Sequence, residues 1–271
     1  MIKTTTVTAL AFAFSATTAL AGGHLCYEGK TLEEGKLTIA TGNPAYYPWV
    51  MDDAPESGKG FEAAVAYAVA AEMGIEAENV VWVRSSFDEA IQPGPKNFDV
   101  NMQQYSITPE RDQVVDFSEA YYAAPMAVLL APGVETEATL EALRELKWGA
   151  VGTTTAVPKL TETIQPTQDL LLYGDNADIN AAMSARQIDA ALFDLPTALF
   201  LSAVMIEGAS VVGQFPADRE ENPDEFGMLM EEGNPLKECI DAALTSLKDS
   251  GQLAAIEAEW LQSATGVPLI K

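Results

Sequence analysis

The chain has 271 residues, and its 40 Asp and Glu against 15 Lys and Arg set a formal charge of −25. A binder of nucleic acid or of anionic lipid needs a basic surface that this composition does not supply. The 48% hydrophobic content and a mean hydropathy of +0.05 exclude an acidic disordered tail as well, and the length allows one long folded unit or two short ones.

In chain order, the first predicted element is a leader. Lys3 precedes an apolar run rich in Ala and Thr over residues 7–20, which ends in Ala19-Leu20-Ala21 before Gly22 and Gly23. A charged start, a short apolar stretch and a small-x-small end predict a signal peptide over residues 1–21, cleaved near Ala21. The run is too short for a membrane span. Export gives meaning to the only two cysteines, Cys26 and Cys239. In an oxidising compartment they are expected to form a disulfide bond.

Beyond the leader, short β-rich runs alternate with helical stretches. Residues 36–41 (KLTIAT) read as a strand that ends in the Gly-Asn-Pro turn 42–44. Phe61, Val65, Ala68, Val69 and Met73 share one helical face, and Gly74 stops that helix. Strands are expected at 80–83 and 98–102, with a short helix at 86–91 between them. After a crossing the alternation resumes: strand 148–151, helix 155–163, strand 169–173, helix 176–186, strand 189–193, helix 196–206 and strand 210–214. The polar run 216–225 (PADREENPDE) reads as a second crossing, followed by a strand at 226–230 and helices at 235–248 and 251–261.

Alternating strands and helices predict an α/β architecture with mainly parallel sheets. Two such series joined by two crossings predict two lobes. The first comprises residues 22–123 and 226–271, the second residues 128–222, with hinge segments at 124–127 and 223–225. Ligands of open α/β sheets sit at the carboxyl ends of strands, so the cleft between the lobes is the expected site.

The strongest local signal is Tyr105-Ser106-Ile107-Thr108-Pro109-Glu110-Arg111, followed by Val115-Asp116-Phe117-Ser118 and Tyr121-Tyr122. Thr108 and Pro109 suit the N-cap and first position of a short helix that would hold Arg111 at a strand end. This stretch resembles the periplasmic solute-binding proteins of polar amino-acid ABC transporters, family 3 of the bacterial extracellular solute-binding proteins. The likeness extends over roughly residues 34–262. It implies a two-lobed periplasmic binding protein fold of type II. It also implies a monomeric, non-enzymatic receptor that captures a small zwitterion, in the first instance an α-amino acid, and delivers it to an ABC permease at the inner membrane.

The same resemblance assigns roles. Arg111 would pair with the ligand's α-carboxylate through its planar fork, and Ser106 would bond the ligand's backbone groups. Gln104 stands at a position that is often Gly, where a main-chain carbonyl meets the ammonium. Asp194, in Phe193-Asp194-Leu195-Pro196, matches the aspartate that pairs with that ammonium, and it can also cap the following helix. Gly152-Thr153-Thr154-Thr155 matches a loop whose N–H groups hold the carboxylate, with Thr154 or Thr153 as the contact. Tyr46 and Phe61 match two facing aromatics that would sandwich a side chain or hold a cation. Asn43 sits where some relatives carry a side-chain-reading acid, and its neutrality weighs against a Lys or Arg ligand.

Other chemistry finds little support. His24 is the only histidine and lies beside the cleavage site, so a histidine triad or His-rich metal site is not on offer. There is no Gly-x-Gly-x-x-Gly or phosphate loop, and no cofactor is expected. Two alternatives share the fold: a receptor for a cyclic zwitterion such as ectoine, and a periplasmic dehydratase of aromatic amino-acid precursors, which would need a general acid in the cleft.

Overall fold

The computed structural model describes residues 25–215, 224–261 and 266–271. The expected signal peptide and its cleavage point, the interior of the polar run from 216 and residue 223 of the second hinge lie outside the described residues.

Two five-stranded sheets organise the chain. The first is built from β1 (Leu37–Thr41), β2 (Val80–Arg84), β3 (Val100–Asn101), β4 (Val115–Phe117) and the late strand β12 (Leu229–Glu231), in the order β2-β1-β3-β12-β4. The second uses β6 (Met126–Leu130), β7 (Trp148–Val151), β8 (Leu171–Tyr173), β9 (Ala190–Asp194) and β10 (Ser210–Gln214), in the order β10-β6-β9-β7-β8. A small third sheet pairs β5 (Tyr122–Ala123) with β11 (Glu225–Phe226).

The two large sheets are mainly parallel, as the alternation predicts. Each has one reversed strand: β12 is antiparallel to β3 and β4, and β6 is antiparallel to β9 and β10. Both reversed strands are the ones the chain enters straight after a crossing. The crossings themselves are β5 and β11, which pair antiparallel, Ala123 with Glu225 and Tyr122 with Phe226. The hinge is therefore a short two-stranded ribbon, and strand β6 already begins at Met126, inside the segment 124–127 expected to be hinge.

The helices follow local chemistry. α1 (Phe61–Glu72) begins at Gly60, whose φ of 102° suits glycine, and a Cβ there would stand 2.5 Å from the Trp49 carbonyl. α2 (Phe87–Ala90) is capped by Ser86 and α3 (Leu140–Arg144) by Thr139. α4 (Ala156–Pro158) widens into a π-helical turn, and α6 (Leu195–Phe200) does the same. α5 (Asn176–Ser184) is capped by Asp175 and α6 by Asp194. α7 (Lys237–Asp249) buries Ile240, Ala243, Leu244 and Leu247, the spacing of one helical face. α8 (Gln252–Trp260) packs beside α7 and α1.

Each lobe has its own core. α1, α7 and β1 bury Leu37, Ile39, Val65, Val69, Ile240 and Leu244 together. On the second sheet Leu129, Ile179, Met183 and Ile188 pack on one side, and Trp148, Leu143, Leu160 and Ile164 on the other. One boundary differs from expectation. Residues 266–271, placed with the first lobe by the alternation, lie on the second sheet, where Gln214 pairs with Leu269 and Lys271 bonds Ala138 and Leu140. The reason is that β10 is an edge strand with unpaired backbone groups, which the tail covers.

Cys26 and Cys239 form the expected disulfide, tying the start of the described chain to α7 across 213 positions. Closing so long a loop stabilises chiefly by restricting the unfolded chain. The double variant Cys26→Ser/Cys239→Ser is expected to lose about 2–5 kcal/mol in urea unfolding; unchanged stability would contradict this.

Candidate functional site

A cavity of about 320 Å³ lies between the lobes, at the small end of the range of roughly 300–1,000 Å³ for ligand pockets. The first lobe reaches it through the 42–50 loop, the start of α1, α2 and the segment after β3. The second lobe contributes the turn after β7, the start of α5 and the end of β9. Direct bonds close the cleft. Trp49 Nε1 donates to Thr197 Oγ1 at 2.8 Å, the Thr153 hydroxyl donates to Asp88, and the rings of Tyr47 and Phe200 lie 4.1 Å apart.

Arg111 is at the centre of this arrangement. It is 9% exposed and lines the cavity. Nη1 donates to the Ser106 carbonyl at 2.8 Å within its own lobe, and Nη2 to the Thr153 carbonyl at 2.9 Å on the other. Its Cζ stands 5.3 Å from the centre of the Phe87 ring, which in turn stacks on Tyr105. Burial lowers its pKa, opposed by Tyr105, Asp224 and Glu110, yet a guanidinium stays charged. Among the described residues it forms no ion pair. A guanidinium has five N–H groups, so two carbonyls leave donors over for a carboxylate.

Asp194 ends β9 on the opposite lobe and lines the same cavity, half-buried. Oδ1 accepts from Thr197 N at 2.8 Å, so the residue is both helix cap and cavity wall. Burial pushes its carboxyl up to about 6, against the bonds from Thr197. Ser106 lines the cavity, but its hydroxyl donates to Asp224, which sits at the hinge ribbon. Burial raises the Asp224 carboxyl, while Ser106 and Arg111 hold it down.

The other expected residues divide. Gln104, Thr154, Tyr46 and Asn43 all line the cavity. Thr154 spends its N–H and its hydroxyl on the Val151 carbonyl. Thr153 does not line the cavity; it gives its carbonyl to Arg111 and its hydroxyl to Asp88. Phe61 does not line it either. It is wholly buried against Trp49, Tyr121 and Tyr122. Consecutive helical positions diverge by about 100°, and on this helix it is the neighbour, Glu62, that reaches the cleft.

Sequence reasoning missed Glu62, Asp88, Asp175 and Asp224, all of which line the cavity. Glu62 is 1% exposed, and burial pushes it up to about 7 although Tyr121 and Gln104 donate to it. The one sequence signal for it is the Gly60-Phe61-Glu62 turn at the start of α1. With Asp194, five carboxyls share the wall with one cation, Arg111, among the described residues. Among the described residues no cluster of His, Cys, Asp and Glu is arranged to hold a metal ion.

The profile of bacterial extracellular solute-binding proteins, family 3, matches residues 37–263. The chain belongs to this family. Among the similar members, the lysine/arginine/ornithine-binding periplasmic protein of Escherichia coli K12 is 26% identical over 76% of this chain and 80% of its own length. The L-cystine-binding protein of the same organism is 26% identical over 85% and 84%. A solved family-like structure, an ancestral arginine-binding protein bound to arginine, superimposes with a TM-score of 0.68 at 26% identity, covering 84% of this chain and 99% of that one. The extracellular solute-binding fold thus accounts for both sheets and the hinge ribbon.

Folding takes up protons at Asp194 and Glu62, because both carboxyls bind them more tightly when buried. Their stabilising contribution is complete below the ordinary carboxyl range and is lost as pH rises through about 6 and about 7. Asp194→Asn keeps a capping oxygen and removes the buried charge. The ligand-free variant is expected to melt higher than the parent at about pH 8 and no higher at about pH 4, by scanning calorimetry. A lower melting temperature at pH 8 would contradict it.

Proposed function

We propose that this protein is the periplasmic receptor of an ABC importer, and that its ligand is an α-amino acid with a cationic side chain. The α-carboxylate would take the free donors of Arg111, and the α-ammonium would meet Asp194. Those two pairings account for the single cation and one carboxyl. The observation that carries the ligand class is the remainder: Asp88, Asp175 and Asp224 line the same cavity with no second basic group among the described residues. A neutral or acidic ligand would leave that excess of negative charge uncompensated in a partly dry site. Asn43 is neutral, but the acids come from α2, α5 and the hinge instead. The likeness to lysine- and arginine-binding proteins supports the same reading.

Capture would proceed by closure about the β5–β11 ribbon. A ligand that touches both lobes only when they meet shifts the population toward the closed form, which is the form an importer's permease would recognise. The reading is of a binding protein without catalysis, in keeping with relatives named for binding.

Isothermal calorimetry is expected to show L-arginine or L-lysine binding in the micromolar range or tighter and L-glutamate binding at least about 100-fold more weakly. Arg111→Ala is expected to weaken the bound amino acid by about 100-fold or more with the fold intact. A preference for neutral amino acids would contradict the cationic class, and near-parental affinity in the alanine variant would remove Arg111 from the site.

A further inference from the structure

Glu62 has no part in the pairings above, yet it is bonded in a specific way. Its Oε1 accepts from the Gln104 backbone N–H at 2.8 Å and from the Tyr121 hydroxyl, and its Oε2 accepts from Gln104 Nε2. Both amide groups of one residue thus end on one carboxylate, 42 positions away in the chain. Gln104 has a φ of 53°. Left-handed backbone is free to glycine and strained for a residue with a Cβ. Of the described non-glycine residues with positive φ, Gln104 is the one that lines the cavity. Its carbonyl accepts no hydrogen bond among the described residues.

We infer that Glu62 is a positioning residue for ligand binding: by clamping both amides of Gln104 it holds a non-glycine residue in left-handed backbone and leaves the Gln104 carbonyl free for an N–H donor of the ligand. The inference rests on the amino-acid reading for that donor, while the clamp stands on the bonds themselves. It explains how glutamine is accommodated without its side chain filling the cavity, since the amide is drawn onto Glu62. Tyr121, from the segment before the hinge ribbon, holds the same carboxylate from the other side. Asp194 also raises the Glu62 carboxyl, and Glu62 in turn raises the Tyr105 hydroxyl. Burial makes the charged form of Glu62 costly, which is consistent with three donors being gathered around it.

The test is a double-mutant cycle read with L-arginine by calorimetry, on Glu62→Ala, Gln104→Gly and the combined variant, with amide hydrogen exchange at residue 104 in the ligand-free protein. Glu62→Ala is expected to weaken arginine binding about tenfold or more and to speed exchange at Gln104 by a similar factor. In the glycine background the same change is expected to cost less than about threefold, because glycine needs no clamp. An equal cost in both backgrounds, or unchanged exchange at Gln104, would overturn the inference. Should Glu62→Ala not fold, Gln104→Ala against Gln104→Gly decides it: alanine is expected to bind arginine more weakly than glycine does, and equal affinities would overturn it. Failure of the parent protein to bind arginine would instead remove the cationic ligand class, and the exchange measurement would still decide the clamp.

Discussion

The guanidinium of Arg111 bridges the cleft, bonded to the Ser106 carbonyl on one lobe and the Thr153 carbonyl on the other. Burying a charge without an ionic partner costs several kcal/mol unless other groups compensate. Here the compensation is partial and diffuse: two carbonyls, the face of Phe87 and the carboxyls around the cavity. That incompleteness is what makes the residue useful. A buried guanidinium with donors to spare has more to gain from a carboxylate than it would at the surface.

The fold exists to bring such groups from two lobes to one place. Each sheet ends its parallel strands toward the cleft, so loops after β3, β7 and β9 deliver Gln104, Ser106, the Thr153 turn and Asp194 together. The reversed strands β6 and β12 carry the chain between lobes through a ribbon only two residues wide on each side. Asp224 stands beside that ribbon and holds the Ser106 hydroxyl, so a group at the hinge is bonded to a group at the site. Stability and binding pull apart here. Asp194 and Glu62 are acids that the folded chain would rather keep protonated, a cost tolerated where charge is needed.

Much of this was legible in the amino-acid order. The alternation of strands and helices predicts both lobes, and the resemblance carried by the Tyr-Ser-Ile-Thr-Pro-Glu-Arg stretch and Phe-Asp-Leu-Pro singles out Arg111 and Asp194, both of which line the cavity. What was hidden depends on contacts between distant positions. Glu62 reads as an ordinary first-turn acid until its partners at 104 and 121 are known, and Asp224 reads as one acid in a polar loop until Ser106 lies beside it. Phe61 differs from Glu62 by a single step of helical rotation, which separates the core from the cleft. The tail at 266–271 follows a free edge of β10, and such an edge is a property of the assembled sheet alone.

A crystal structure of the protein with L-arginine tests the central pairing most directly. The α-carboxylate is expected within hydrogen-bond distance of the Arg111 guanidinium, with the ligand's own guanidinium among the carboxyls of the cavity wall. A bound ligand whose carboxylate lies away from Arg111 would contradict it.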